Sequence, residues 1–293
     1  MRILVTGSRS MLAQELLPCL HRAGFTVIGR ARPGLDLTRP ASIRAAFQEV
    51  QPMLCINTAA YTAVDRAESE VDAAFAVNRD GVAHLAEVCR EAGVPLIHLS
   101  TDYVFAGTAS HPYREEDPTA PLGVYGRSKW EGEQAVRATL RDHLIVRTAW
   151  LYGYHGSNFV KTMLRLAHER HIVHVVHDQH GCPTWTRDLA QALTAMCQQC
   201  FQGLETFPWG TYHFCAAGQT TWYDFARAIF AAYPFAAALR LERVEPISTA
   251  AYAAPAQRPA YSVLDVAKFQ ATFGITPRSW RTSLHDCLRE WTP

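Results

Sequence analysis

Lysine is scarce in this chain: Lys129, Lys161 and Lys268 are the only three among 28 basic residues. An excess of either charge is missing too. Lys plus Arg number 28 and Asp plus Glu 27, a formal net charge of +1, which gives no electrostatic ground for binding nucleic acid or an anionic membrane. Long apolar runs are also lacking. The longest, residues 228–239, is broken by Pro234 and is too short to span a bilayer. Met1 opens directly into a strand pattern without a signal-peptide signature, so a soluble cytoplasmic protein is expected. Paired metal-ligand motifs are absent. The eight cysteines, at 19, 55, 89, 182, 197, 200, 215 and 287, lie mostly in apolar surroundings and read as reduced thiols acting as small hydrophobes. Cys197 and Cys200 have CxxC spacing but no second ligand pair. His168, His171, His174, His177 and His180 recur every third residue, yet the segment passes from a helical pattern into a strand. The five therefore cannot share one face, and no metal site is expected.

What is present is an alternation of short apolar runs and amphipathic stretches. Residues 2–7 read as a strand ending in a Gly turn, 11–22 as a helix stopped by Gly24, and 25–29 as a second strand. Further strands are expected at 54–57, 95–99 and 144–147, with helices over about 40–50, 78–92 and 128–139 between them. This rhythm predicts an α/β fold, a doubly wound parallel sheet of Rossmann type. Beyond Trp150 the pattern loosens, with shorter strands and most of the tryptophans. Residues 1–150 are accordingly expected to form a dinucleotide-binding domain. Residues 151–293 are expected to form mainly a smaller substrate lobe, with some segments returning to the first domain.

The N-terminal βαβ unit is where a dinucleotide site begins, and its loop wants three glycines. Gly7 is there, but Ser10 and Ala13 take the next two places. If the position of Ser10 requires a positive φ, its side chain weakens the grip on pyrophosphate without abolishing it. After the second strand, Arg30 and Arg32 stand where an acidic residue would hold a ribose diol, and arginine suits a 2′-phosphate. NADPH is thus favoured, with NADH possible.

Tyr125 and Lys129 are four apart at the head of an amphipathic stretch, and Thr101 lies where the strand at 95–99 gives way to a loop. On a helix the phenol and ammonium share one face. At roughly 5 Å and an effective dielectric near 20, their attraction is worth ~3 kcal/mol, about two pK units. That would bring the phenol toward the neutral range where a general acid works best. With 11 Tyr and three Lys, chance supplies only about 0.1 such pairs.

Taken together, several segments resemble the extended short-chain dehydrogenase/reductase family, and within it the dTDP-4-dehydrorhamnose reductases. They are residues 57–70, Ser100-Thr-Asp-Tyr-Val-Phe105, Tyr125-Gly-Arg-Ser-Lys129, Asn158-Phe-Val-Lys-Thr-Met163, Asp178-Gln-His-Gly-Cys-Pro-Thr184 and Arg258-Pro-Ala-Tyr-Ser262. The resemblance implies reduction of the C4 keto group of a dTDP-linked 4-dehydro-6-deoxy-L-sugar, with Tyr125 as proton donor. It implies that Lys129 lowers the phenol pKa and holds the nicotinamide ribose, and that Thr101 bonds near the keto oxygen. Asp102 and Trp150 would contact the sugar. Gly7, Ser10, Met11, Leu12, Arg30, Asp36, Leu37, Ala60, Tyr61 and Thr62 would contact the cofactor, Asp36 at its adenine end. Some relatives dimerise through magnesium held by glutamates. Here Glu15 fits, but Arg187 falls where a partner carboxylate is sought, so magnesium is not expected, and a monomer or homodimer is. Two alternatives stay open. One is a non-catalytic relative, such as a regulatory subunit of methionine adenosyltransferase. The other is a nucleotide-sugar dehydratase or epimerase, against which Tyr103 stands where those enzymes carry a glutamate.

Overall fold

The computed structural model describes residues 1–291. Its first half runs β1 (Arg2–Thr6), α1 (Met11–Arg22), β2 (Thr26–Arg30), α2 (Pro40–Val50), β3 (Leu54–Asn57), α3 (Val64–Ala67), α4 (Val71–Phe75), α5 (Gly81–Ala92), β4 (Leu96–Thr101), α6 (Val124–Thr139) and β5 (His143–Thr148). A π-helical turn, Ala76–Asp80, joins α4 to α5. There follow β6 (Leu151–Tyr152), α7 (Phe159–Glu169), β7 (Ile172–Val176), β8 (His180–Gly181), β9 (Thr184–Trp185), α8 (Thr186–Gln202), β10 (Gly210–His213), β11 (Thr220–Thr221), α9 (Trp222–Ala232), β12 (Arg243–Ile247), α10 (Thr249–Tyr252), α11 (Ala267–Phe273) and α12 (Trp280–Arg289).

Six strands form one sheet in the order β10-β5-β4-β3-β1-β2, every pair parallel. Parallel strands need covered faces, and the alternation of side chains supplies two. Ile3, Val5, Ile56, Ile97 and Val146 point to one side, where α1, α8 and α11 cover them. Leu4, Cys55, Leu96 and Ile145 point to the other, under α2, α5 and α6. A separate cluster built from α7, α9, α12, β7 and Trp185 makes a second lobe. Val104, Phe105, Ala149, Cys182, Cys215 and Leu264 fill the joint between the two.

The chain leaves β1 toward β2, then crosses back to lay β3 on the opposite side of β1. That reversal opens a crevice at the carboxyl ends of β1 and β3, the place where ligands enter such sheets. The second half does not stay in its own lobe: β10 extends the sheet beside β5, and α8 packs on α1. Among the described residues no helix is long and apolar enough to cross a membrane. Cys197 and Cys200 are buried in α8, where desolvation pushes both thiols up, Cys200 to about 12. No cluster of three or more metal-ligating side chains occurs among the described residues. Of the five periodic histidines, His171 and His174 pair instead with Glu242 and Glu245.

Candidate active site

The crevice opens into a cleft of about 840 Å³ that reaches from Gly7 and Asp36 at one end to Trp150 at the other. That volume suits a large ligand. Gly7 has φ +65°, and a Cβ there would lie 2.6 Å from the backbone nitrogen of Ala59, so only glycine lets the turn press against the end of β3. Ser10 behaves otherwise than the glycine rule expects. Its φ is −66° and ψ 155°, an extended conformation open to any residue, so the anticipated strain does not arise. Its hydroxyl caps α1, accepting from Ala13 N at 3.1 Å, and lies 2.9 Å from Thr58 Oγ1. Thr58 in turn donates to the Thr6 carbonyl at 2.7 Å. The serine therefore pins the loop to β1 and β3 and leaves the start of α1 facing the cleft, a suitable end for phosphate.

Met11, Leu12, Asp36, Leu37, Ala60 and Thr62 all line the cleft. Asp36 feels burial, which raises its pKa. Hydrogen bonds from Thr38 N at 3.0 Å and Thr38 Oγ1 at 2.8 Å, with the charges of Arg32 and Arg39, prevail and hold it below its usual value. Two expected cofactor residues lie elsewhere. Arg30 is paired with Glu49 on α2 and is not part of the lining, because β2 is an edge strand whose side chain finds a carboxylate nearer than the cleft. Arg32, two residues on, does face it, as does Arg9. Tyr61 turns outward to donate to Glu70 at 2.5 Å, while its backbone NH is held by Asn78 Oδ1 at 2.8 Å.

At the other end, Thr101, Asp102, Tyr125 and Lys129 converge on the lining. α6 starts at Val124, earlier than its amphipathic pattern suggests, and carries Tyr125 in its first turn. Asn78, in the π turn, fixes this start: its amide donates to Ser128 Oγ at 3.0 Å, and Ser128 donates to the Tyr125 carbonyl at 2.8 Å. π turns recur at functional sites. Close approach is possible because Gly132 has no side chain; a Cβ would meet Asn78 O at 2.1 Å.

The protonation picture departs from expectation. Burial pushes the Tyr125 phenol up to about 12; a hydrogen bond with Thr101 opposes this and the Asp102 charge adds to it. Lys129 does not bring it down. Its Nζ donates to the Leu99 carbonyl at 2.6 Å and lies 3.4 Å from His98 Nε2, because in a dry site the ammonium takes the best acceptor in reach. Burial lowers Lys129 to about 8, against Glu133, which raises it. Asp102 is raised to about 6, mainly by burial, with the hydroxyls of Ser262 and Thr101 holding it back. Thr101 Oγ1 donates to Asp102 Oδ1 at 3.0 Å. Oδ2 is buried and makes no bond of ordinary geometry, and neither do the buried Ser100 Oγ and Thr148 Oγ1; all three residues belong to the lining of the cleft. A polar ligand fits three such orphaned atoms.

Trp150 has φ +46°, rare for a bulky residue, and strain of this kind gathers at functional sites. Its ring stacks on Trp222 with centroids 3.4 Å apart and planes within 5°. Gly181 makes room for it, since a Cβ there would sit 2.3 Å from the indole. Away from the cleft, Arg187 donates to Glu15 at 3.2 Å and to Glu290 at 2.5 Å, placing a guanidinium between the carboxylates. Sequence reasoning missed Thr58, Asn57 and His98: Asn57 and Thr58 stand at the carboxyl end of β3, a position that could have flagged them, whereas His98 lies in the middle of β4 and left no such signal.

A glycine turn at the switch point of a parallel sheet, with Tyr and Lys four apart on the helix after β4, defines an oxidoreductase of the extended short-chain dehydrogenase/reductase class. A family model described as RmlD substrate binding domain matches residues 1–292. The dTDP-4-dehydrorhamnose reductase of Streptomyces griseus is 48% identical over 97% of this chain and 91% of its own, and that of Burkholderia thailandensis is 44% identical over 99% of both. The crystal structure of dTDP-4-dehydrorhamnose reductase from Bacillus anthracis in complex with NADP superposes with a TM-score of 0.90 at 36% identity, covering 99% of each chain. The chain belongs to the dTDP-4-dehydrorhamnose reductase family.

Proposed function

We propose that the protein reduces the C4 keto group of dTDP-4-dehydro-L-rhamnose to dTDP-L-rhamnose with NADPH, Tyr125 supplying the proton. The observation that carries this reading is the meeting of Thr101, Tyr125 and Lys129 at one end of a cleft whose other end holds Gly7, Arg32 and Asp36. Bound NADPH supplies the hydride. Gly7, Ser10, Met11 and Leu12 would face its pyrophosphate, Arg32 and Arg9 its 2′-phosphate, and Asp36 and Leu37 its adenosine. A phenol raised to about 12 is protonated throughout the working range and so is ready to give its proton to the forming C4 alkoxide. Thr101 holds the keto oxygen beside it, Asp102 accepts from a sugar hydroxyl, and Trp150, held by its stack on Trp222, contacts the sugar. The well-formed phosphate turn and the retained Thr-Tyr-Lys set favour a working enzyme over a non-catalytic relative. The protein would act in the cytoplasm on a nucleotide sugar, as monomer or homodimer.

Tyr125→Phe tests the reading. It removes the acid and keeps the ring that packs edge-on against Tyr103 at 5.9 Å. NADPH oxidation with the 4-dehydro sugar nucleotide should fall by about 10²–10⁴. Turnover within about threefold of wild type would remove Tyr125 from the chemistry.

A further inference from the structure

Three polar side chains stand side by side where a parallel sheet is usually apolar. Thr6, Asn57 and His98 are neighbours in register across β1, β3 and β4, and none is more than 1% exposed. Their hydrogen bonds can be assigned without ambiguity. Asn57 Oδ1 accepts from the Ala59 backbone NH at 3.1 Å and from the Thr6 hydroxyl. Its amide NH₂ therefore faces His98, and Nδ1, 3.0 Å away, must be the acceptor. A neutral imidazole then carries its hydrogen on Nε2, the atom 3.4 Å from Lys129 Nζ.

We propose that His98 is a positioning residue for Lys129, its tautomer set by Asn57 so that Nε2–H points at Nζ. A donor facing an ammonium repels it, whereas a neutral amine offers a lone pair. The amine form satisfies everything in reach: it accepts from His98 and donates to the Leu99 carbonyl at 2.6 Å. The surrounding charges do not reverse this. Glu133, the anion nearest Lys129 on its own helix, is already bound by Arg147 through Nε at 2.9 Å and Nη2 at 2.8 Å, and by Arg137 at 2.9 Å. Arg137 from α6, His143 from β5 and Lys129 itself all disfavour a charge on His98, and burial, the largest influence, does so as well. At the end of β4, Asp102 is itself raised by burial. His98 thus stays neutral, and the row Thr6–Asn57–His98 sets how readily Lys129 holds its proton. Any consequence for turnover rests on the activity proposed above; the state of the free enzyme does not.

The scarcity of lysine makes the test direct. Protein labelled with ¹³C at lysine Cε gives three signals, and that of Lys129 is assigned by its loss in Lys129→Arg. In the ligand-free wild type its midpoint should lie near 8. In His98→Asn, whose amide oxygen can still accept from Asn57 but cannot reach Nζ, the midpoint should rise by about one unit. A wild-type midpoint at the ordinary lysine value, or one unmoved in His98→Asn, overturns the proposal. Should that variant fail to fold, the ¹⁵N spectrum of wild-type histidine decides: His98 with its proton on Nε2 supports the proposal, and a proton on Nδ1 overturns it. A shifted Lys129 in a protein that reduces no sugar nucleotide would leave this inference standing and sink the proposed activity.

Discussion

Asp102→Asn should stabilise the ligand-free protein while damaging its activity. The carboxyl is 2% exposed, and burial raises it from 3.8 to about 6. A group whose folded pKa lies above its unfolded value favours folding most below the unfolded value. That advantage is lost as pH rises through the folded value, because the unfolded chain gives up the proton first. About two units at 1.36 kcal/mol each put the loss at roughly 3 kcal/mol by pH 7.5. Asparagine has the same shape and no charge, and its Oδ1 can still accept from Thr101. Urea unfolding should show wild type and variant close together at pH 4 and the variant ahead by about 2–3 kcal/mol at pH 7.5. Turnover should fall in the same variant, since the proposed acceptor for a sugar hydroxyl has lost its charge. A gap of equal size at both pH values, or a variant less stable at pH 7.5, would refute the argument that burial of the charge is the cause.

Ser10→Gly should leave NADPH binding unchanged or weaker, and Ser10→Ala should cost about 1 kcal/mol of stability through the lost cap; tighter binding by the glycine variant in calorimetry would show that the loop needs a freedom its extended backbone does not reveal. Arg32→Ala should remove most of any preference for NADPH over NADH in kcat/KM, whereas Arg30→Ala, which only breaks the pair with Glu49, should not; the reverse pattern would relocate the 2′-phosphate. His213 is lowered to about 3, chiefly by burial and then by the Arg147 charge. Its contribution is intact above the unfolded value near 6.5 and declines as the pH falls toward 3, so about 2 kcal/mol should be lost between pH 7 and 5. His213→Gln should flatten that limb of the urea-unfolding profile.

The alternating strands of the first half were legible because buried parallel strands read as plain apolar runs between amphipathic helices. Their order was not. Nothing in Leu54–Asn57 says that it lies against β1 on the side away from β2, since that choice is made by long-range packing. The two-residue strands β6, β8, β9 and β11 are too short to leave a pattern, and Gly-Thr-Tyr-His, which returns as the edge strand β10, looks like a loop. In the site, spacing found Tyr125 and Lys129, the family resemblance added Thr101, and the structure gathers all three along one cleft. Spacing could not show that Lys129 spends its proton on the Leu99 carbonyl, because the competing acceptor is a backbone atom of another element. It also misjudged Ser10. A glycine rule describes backbone that must turn left, and here the left-handed residue is Gly7 alone in that loop.

His98 escaped notice for the opposite reason: within Pro95-Leu-Ile-His-Leu99 it reads as one polar break in a buried strand. Such a residue is destabilising in a sheet interior unless every polar atom is paired. Here the pairing runs sideways through Asn57 to Thr6, beside the phosphate turn, and forward to Lys129. The loop at the other end is tied into the same strand ends by Ser10 and Thr58. A single hydrogen-bonded row therefore satisfies the interior of the sheet and joins the two ends of the cleft. Because the parallel register fixes which residues stand abreast, Thr6 beside Asn57 and Asn57 beside His98, a slip of one residue in β3 would break the row and bury three unpaired polar groups. The correct fold and the prepared site thus depend on the same register.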